Sequence, residues 1–132
     1  MYVESRDIVR TAAQAAWDKK AMDLEIIDIS GVSDIADYFF IATGQNNRHV
    51  DSIIDGVREN VREKEQQRPL SVEGMESLDW ALIDYGSVIV HIFQPEPRDY
   101  YRLGSLWGDA PRMELDFLDA EDESGEKDEP AL

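Results

Sequence analysis

No cysteine occurs in the 132 residues. Disulfides, thiolate metal sites and a cysteine nucleophile are therefore excluded. No uninterrupted apolar run reaches the roughly 18 residues that a transmembrane helix needs. Histidine is scarce: His49 and His91 stand alone, with no i, i+4 pair between them. A lone histidine is more often a hydrogen-bonded structural residue than a ligand, so no metal and no cofactor are expected. The opening residues, Met1-Tyr2-Val3-Glu4-Ser5, lack the basic-then-apolar pattern of a signal peptide. Together these absences point to a reducing, cytoplasmic setting.

Basic residues are also few. Thirteen Lys and Arg face 29 Asp and Glu, a formal net charge of −16. Such a chain repels phosphates and disfavours direct, sequence-specific nucleic-acid binding, while a basic protein partner remains favourable. The charge is uneven. Residues 113–132 hold nine acidic residues and one lysine, half of the excess. The stretch from Ala120 has almost nothing apolar to offset its ordering entropy. A single domain over 1–112 with an acidic, disordered tail over 113–132 is expected. The tail is either a solubilising segment or a charged arm for a basic partner.

What is present builds an α/β domain. A first helix is expected from about Asp7 to Lys20, with Ser5 as its N-cap and Ile8, Ala12, Ala15 and Ala16 at helical spacing. Strands follow at Leu24–Ile29 and Tyr38–Thr43. The second is almost wholly apolar, as an interior strand covered on both faces would be. Val50, Ile53, Ile54, Val57 and Val61 then form one helical stripe, capped by Asn46 or Asn47 and stopped before Pro69. A short strand, Leu70–Glu73, precedes a hairpin of Asp79–Asp84 and Ser87–Phe93 about Tyr85-Gly86. A last helix is expected from about Pro97 to Trp107. The order is α-β-β-α-β-β-β-α, a mixed sheet of about five strands flanked by helices.

The hairpin says most about function. A loop centred on Tyr85-Gly86 sets Ile83 opposite Val88, Ala81 opposite Val90, Leu82 opposite Ile89 and Trp80 opposite His91. Opposed residues share a face and faces alternate along a strand. One face is then Ala81, Ile83, Val88, Val90 and Ile92, the expected core. The other is Trp80, Leu82, Ile89, His91 and Phe93, large and aromatic. Either a terminal helix covers that second face and Trp80 is core, or the face is open to a partner, where buried aromatics dominate binding energy. A three-residue loop would exchange the faces.

Several segments now fall into a known pattern. Asp37-Tyr38-Phe39-Phe40-Ile41-Ala42-Thr43-Gly44 resembles a D-Y-F-x-I-x-T-G strand. Asn47-Arg48-His49-Val50 is similar to an S-R-x-V helix start, with Asn in place of Ser. Glu73-Gly74 and the block Asp79-Trp80-Ala81-Leu82-Ile83-Asp84-Tyr85-Gly86-Ser87-Val88-Ile89-Val90-His91 resemble E-G and D-W-x-L-x-D-x-G-x-V-x-V-H. Arg98, Tyr101, Leu103, Leu106 and Trp107 resemble a closing R-x-x-Y-x-L-x-x-L-W, with Gly104 where Glu is more usual. The ordered set, over about Asp7 to Ala110, resembles the ribosomal silencing factor (Iojap-like) family. That resemblance implies a nucleotidyltransferase-like fold without the activity. It implies binding to large-subunit ribosomal protein fourteen, a block on small-subunit joining when nutrients are scarce, and homodimers. With the hairpin face it sets the expected partner-binding residues as Asp79, Trp80, Leu82, His91, Phe93, Arg98 and Tyr101.

The alternative is a nucleotidyltransferase-like enzyme acting on a nucleotide. Such enzymes hold Mg²⁺ on clustered carboxylates beside a preceding Gly-Ser. Asp28, Asp34, Asp37 and Asp84 are scattered, and Gly86-Ser87 follows its carboxylate. No catalytic residue is expected.

Overall fold

The computed structural model describes the backbone of residues 4–118 and, within that span, all side chains except those of residues 100, 101 and 104. Helix α1 (Ser5–Asp18) leads into strand β1 (Met22–Asp28), strand β2 (Tyr38–Thr43) and helix α2 (Asn47–Glu65). Strands β3 (Ser71–Glu73), β4 (Trp80–Asp84) and β5 (Val88–Phe93) follow, then short helices α3 (Pro95–Tyr101) and α4 (Leu103–Leu106). The five strands form one sheet in the order β1-β2-β5-β4-β3. Only β2 and β5 run parallel; the other neighbours are antiparallel.

Helices α1 and α2 lie together on one sheet face, which we term the helix face. Their buried stripes, Ile8, Val9, Ala12, Ala13, Ala15 and Ala16 on α1 and Val50, Ile53, Ile54, Val57 and Val61 on α2, meet Ile26, Phe40, Ala42, Ala81, Ile83, Val88, Val90 and Ile92. Small residues on α1 allow close approach to the sheet. Asn46 caps α2 by accepting the His49 amide at 2.9 Å. Interior strand β2 is covered on both sides, as its continuous apolar run requires.

The second face carries a separate cluster of Ile27, Ile29, Ala36, Phe39, Ile41, Phe93 and Ala110, against which Leu103 and Trp107 pack. The chain after α4 then runs along the outer edge of β1. The Asp28 amide donates to Pro111 O and the Met113 amide to Ile26 O, with Ile27 bridged to Arg112.

Three expectations are corrected, and one is sharpened. Ser5 does not cap α1; it is the first helical residue, and its hydroxyl donates to Asp37 at 2.8 Å, tying α1 to the β2 entrance. Helix α2 does stop before Pro69, and its end at Glu65 is set by Gln66, which turns left-handed at φ 54°. The hairpin register is displaced by two residues: Ile83 faces Val90, Ala81 faces Ile92, Leu82 faces His91 and Trp80 faces Phe93. The loop is Gly86-Ser87, closed by Tyr85 N–H to Val88 O, with Gly86 alone at positive φ (86°) and its amide held by Asp84 at 2.7 Å. Glycine at the first central position suits a II′ turn. An even displacement leaves every side chain on its expected face. The last helix is two helices, because Arg102 adopts φ 53° and redirects Leu103 and Trp107 onto the second face.

The acidic composition of residues 113–132 conceals four apolar side chains. Met113, Leu115, Phe117 and Leu118 pack against the helix-face core, with the Arg10 guanidinium 4.8 Å from the Phe117 ring centre. The rest of the expected tail, 119–132, lies outside the described residues.

Candidate functional site

The second sheet face divides into two halves. Across β1 and β2, the side chains of Ile27, Phe39 and Ile41 are buried beneath Leu103, Trp107 and Ala110. Across β5, β4 and β3, Ile89, Trp80 and Leu82 are only half-buried. Alternation sets Asp84, Ser71 and Glu73 on the same side, because Asp84 pairs with Ile89 and Ser71, and Glu73 pairs with Leu82. The open half is thus an apolar patch with carboxylates at its β3 margin.

Aromatic stacking gives the patch a rigid floor. Trp80 stacks on Phe93 at 4.9 Å and 25°. Its indole N–H donates to His91 Nδ1 at 3.0 Å. Phe39 meets the imidazole edge-on at 4.7 Å. His91 is only 4% exposed, and burial pushes its pKa down to about 4. The ring is therefore neutral near pH 7. With Nδ1 accepting, the proton sits on Nε2, which is buried without a hydrogen-bond partner. His91 acts as an acceptor that sets the Trp80 indole plane.

Tight backbone geometry places Trp80. Gly74 adopts φ 81°, and a Cβ there would stand 2.1 Å from the Trp80 carbonyl oxygen. The Glu73-Gly74 pair is thereby explained: only glycine lets the loop close on β4. Gln94, which no sequence signal singled out, fixes the other end. It donates to Asn47 and to Leu78 O, and its amide bonds Asp79 O.

The expected partner-binding residues separate into groups. Trp80, Leu82, His91 and Phe93 share one face; His91 and Phe93 form its floor, and Trp80 and Leu82 its surface. Asp79 is exposed beside them. Arg98 lies elsewhere, in contacts within the chain. It donates to Asp23 O at 2.6 Å and Thr43 Oγ1 at 2.8 Å, and pairs with Glu25 at 3.5 Å. Asp23 has φ 52° at the irregularity in β1, which turns its carbonyl towards α3. Arg112 meets the same Glu25 at 2.7 Å, so one carboxylate pins the chain on both sides of α4. The Tyr101 backbone closes α3, and its side chain lies outside the description. Asp84, Glu73 and Ile89 were not among the expected residues, although strand alternation from Trp80 and Leu82 marks Asp84.

Three of the four carboxylates weighed for nucleotidyl transfer have local duties. Asp28 accepts from Ser30, Asp37 from Ser5, and Asp84 from the Gly86 amide. Among the described residues no group of three or more His, Asp or Glu stands where it could hold a metal ion. His49 bridges elements instead: it accepts from the Gln45 amide, and its Nε2 lies 2.8 Å from Lys19 O. Among the described residues no helix is long and apolar enough to cross a membrane.

With this geometry in place, kinship can be read. The profile of the family described as "Ribosomal silencing factor during starvation" matches residues 2–131. The chain belongs to that family. It is 38% identical to the ribosomal silencing factor RsfS of Bacillus subtilis over 115 residues, 87% of this chain and 97% of that protein. A mouse protein named "Mitochondrial assembly of ribosomal large subunit protein 1" is 30% identical over 67% of this chain and 40% of its own length. A crystal structure from Chromobacterium violaceum superposes with a TM-score of 0.77 at 34% identity, covering 80% of this chain and 88% of that one. The five-stranded mixed sheet is therefore the family's fold.

Proposed function

We propose that this silencing-family chain represses translation in the cytoplasm by docking the open half of its second sheet face on the large ribosomal subunit. The contact is large-subunit ribosomal protein fourteen, on the face that the small subunit joins. Occupying it keeps the subunits apart when nutrients are scarce. The observation that carries this reading is the half-open patch itself. Trp80, Leu82 and Ile89 offer an apolar anchor on a rigid floor, and Glu73, Asp79 and Asp84 surround it with negative charge. A basic protein surface complements such a patch, and the formal charge of −16 speeds its encounter. The names of the bacterial and mouse relatives point to the same partner class.

Sedimentation with isolated large and small subunits tests the reading. The chain is expected to travel with large subunits and to lower the yield of joined ribosomes in proportion to its amount. Equal association with both subunits, or with neither, defeats it. No feature of the site favours catalysis on a nucleotide. Addition of nucleotide and Mg²⁺ is expected to leave the melting temperature unchanged, whereas a bound ligand at 100 times its Kd would add about 2.7 kcal/mol.

A further inference from the structure

One positively charged hollow stands out on this acidic chain. It holds about 610 Å³ between the outer flank of α2 and the connection that follows, and Arg58, Arg62 and Arg68 line it. Arg62 makes one loose, exposed pair with Glu63 at 3.8 Å. Among the described residues the Arg58 and Arg68 side chains carry neither a salt bridge nor a hydrogen bond. Three arginines therefore line one hollow from two walls, and two of them have no ion-pair partner among the described residues. We infer that this hollow is a phosphate contact for the RNA backbone of the large subunit.

The inference rests on the large-subunit reading and extends it to a second surface. Position is the first argument. Arg58 lies close enough to Tyr85, which packs on the helix face beside the hairpin turn, to influence its hydroxyl. Arg68 is three residues before Ser71, at most about 10 Å of extended chain from the open patch. The hollow thus lies on the helix-face side, around the β3 edge from the patch, and a partner the size of a ribosomal subunit seated on the patch extends past that edge.

Chemistry is the second argument. Arginine presents a planar fork of donors that matches phosphate oxygens, and it is weakly hydrated, so desolvating it costs less than desolvating an ammonium. Asp55 and Glu59 share the hollow and limit its net charge. That balance suits a few phosphates held at one spot and not a long groove. The chain's total negative charge opposes free RNA. Once the patch has docked, however, charges beyond the Debye length of about 8 Å are largely screened, and the nearby guanidiniums govern the contact.

Two experiments on the full chain decide the matter. In the first, affinity for isolated large subunits is measured against salt for the wild type, for Arg58→Gln/Arg62→Gln/Arg68→Gln, and for a charge-matched control, Arg6→Gln/Lys20→Gln/Arg48→Gln. Loss of two to three phosphate contacts is expected to flatten the slope of log K against log salt by roughly 1.5 to 2.5. The control should keep the wild-type slope, and Trp80→Ala should weaken binding at every salt without changing it. An unchanged slope in the first triple variant, or an equal change in the control, overturns the inference and leaves the patch reading standing. Failure of the wild type to bind large subunits overturns both. The second experiment uses the absence of native cysteine. Arg68→Cys carrying a photo-crosslinker is expected to label ribosomal RNA; labelling of protein alone overturns the phosphate assignment.

Discussion

The two faces of this sheet are both largely apolar, yet they have different fates. On the helix face, Ala81, Ile83, Val88, Val90 and Ile92 are sealed beneath α1 and α2. On the other, α4 and the chain after it seal only the β1–β2 half and leave Trp80, Leu82 and Ile89 half-buried. Aliphatic, β-branched residues dominate the sealed face, where close packing against small α1 residues matters most. Aromatic residues dominate the partly open one. Their stacking and the Trp80–His91 bond keep a large apolar surface rigid without a covering layer. Stability is thus concentrated on the helix face, and the open half of the other face is the surface proposed for recognition.

The comparison can be broken most directly by truncation on each face. Ile83→Ala should lower the unfolding free energy by about 2–5 kcal/mol, read by chemical denaturation, because a fully buried side chain leaves a cavity. Trp80→Ala should weaken large-subunit binding by about 2–4 kcal/mol, roughly 30- to 1,000-fold, with a smaller loss of stability than Ile83→Ala. If Trp80→Ala proves the more destabilising of the two and leaves binding intact, the division of labour between the faces is wrong.

The floor of the patch provides a pH test. Burial lowers the His91 pKa to about 4, whereas the unfolded chain titrates near 6.5. Between those values the unfolded state binds the extra proton. Stability from neutral His91 is therefore complete above about pH 6.5 and is lost as pH falls towards 4, by up to about 3 kcal/mol. His91→Gln keeps an acceptor for Trp80 but cannot titrate in this range. Its stability should fall less steeply over this window, and parallel curves for the two proteins would show that His91 is not buried neutral.

The smallest effect belongs to the margin. Val32 is 60% exposed in the β1–β2 loop, and Val32→Ser should change stability by less than about 0.5 kcal/mol. Its binding should match the wild type. A loss as large as that of Trp80→Ala would move the contact surface from the open patch to this loop.

Much of this division was legible in the residues. Alternation assigned each hairpin side chain to its face, even though the register was displaced by two, because parity survives an even shift. The continuous apolar run of Tyr38–Thr43 announced an interior strand. What covers the second face was not legible. The single helix expected from Pro97 to Trp107 concealed the break at Arg102, a left-handed position that no residue type marks. Arg98 sits in a recognisable pattern, but a pattern does not distinguish a side chain that meets a partner from one that holds α3 to β1. Four apolar residues among the carboxylates of 113–118 were hidden by composition, which averages over the few side chains that pack.

The strand-like course of residues 111–113 along β1 has a consequence beyond holding α4 in place. An exposed sheet edge is a template on which further strands, from other copies of a chain, can add and grow into fibrils. Pro111 and Met113 occupy that template on β1 with their own backbone groups. The opposite edge is β3, only three residues long, preceded by Pro69 and ending on Glu73. Neither margin offers a long, flat, uncharged ladder, so this sheet offers little purchase for its own polymerisation.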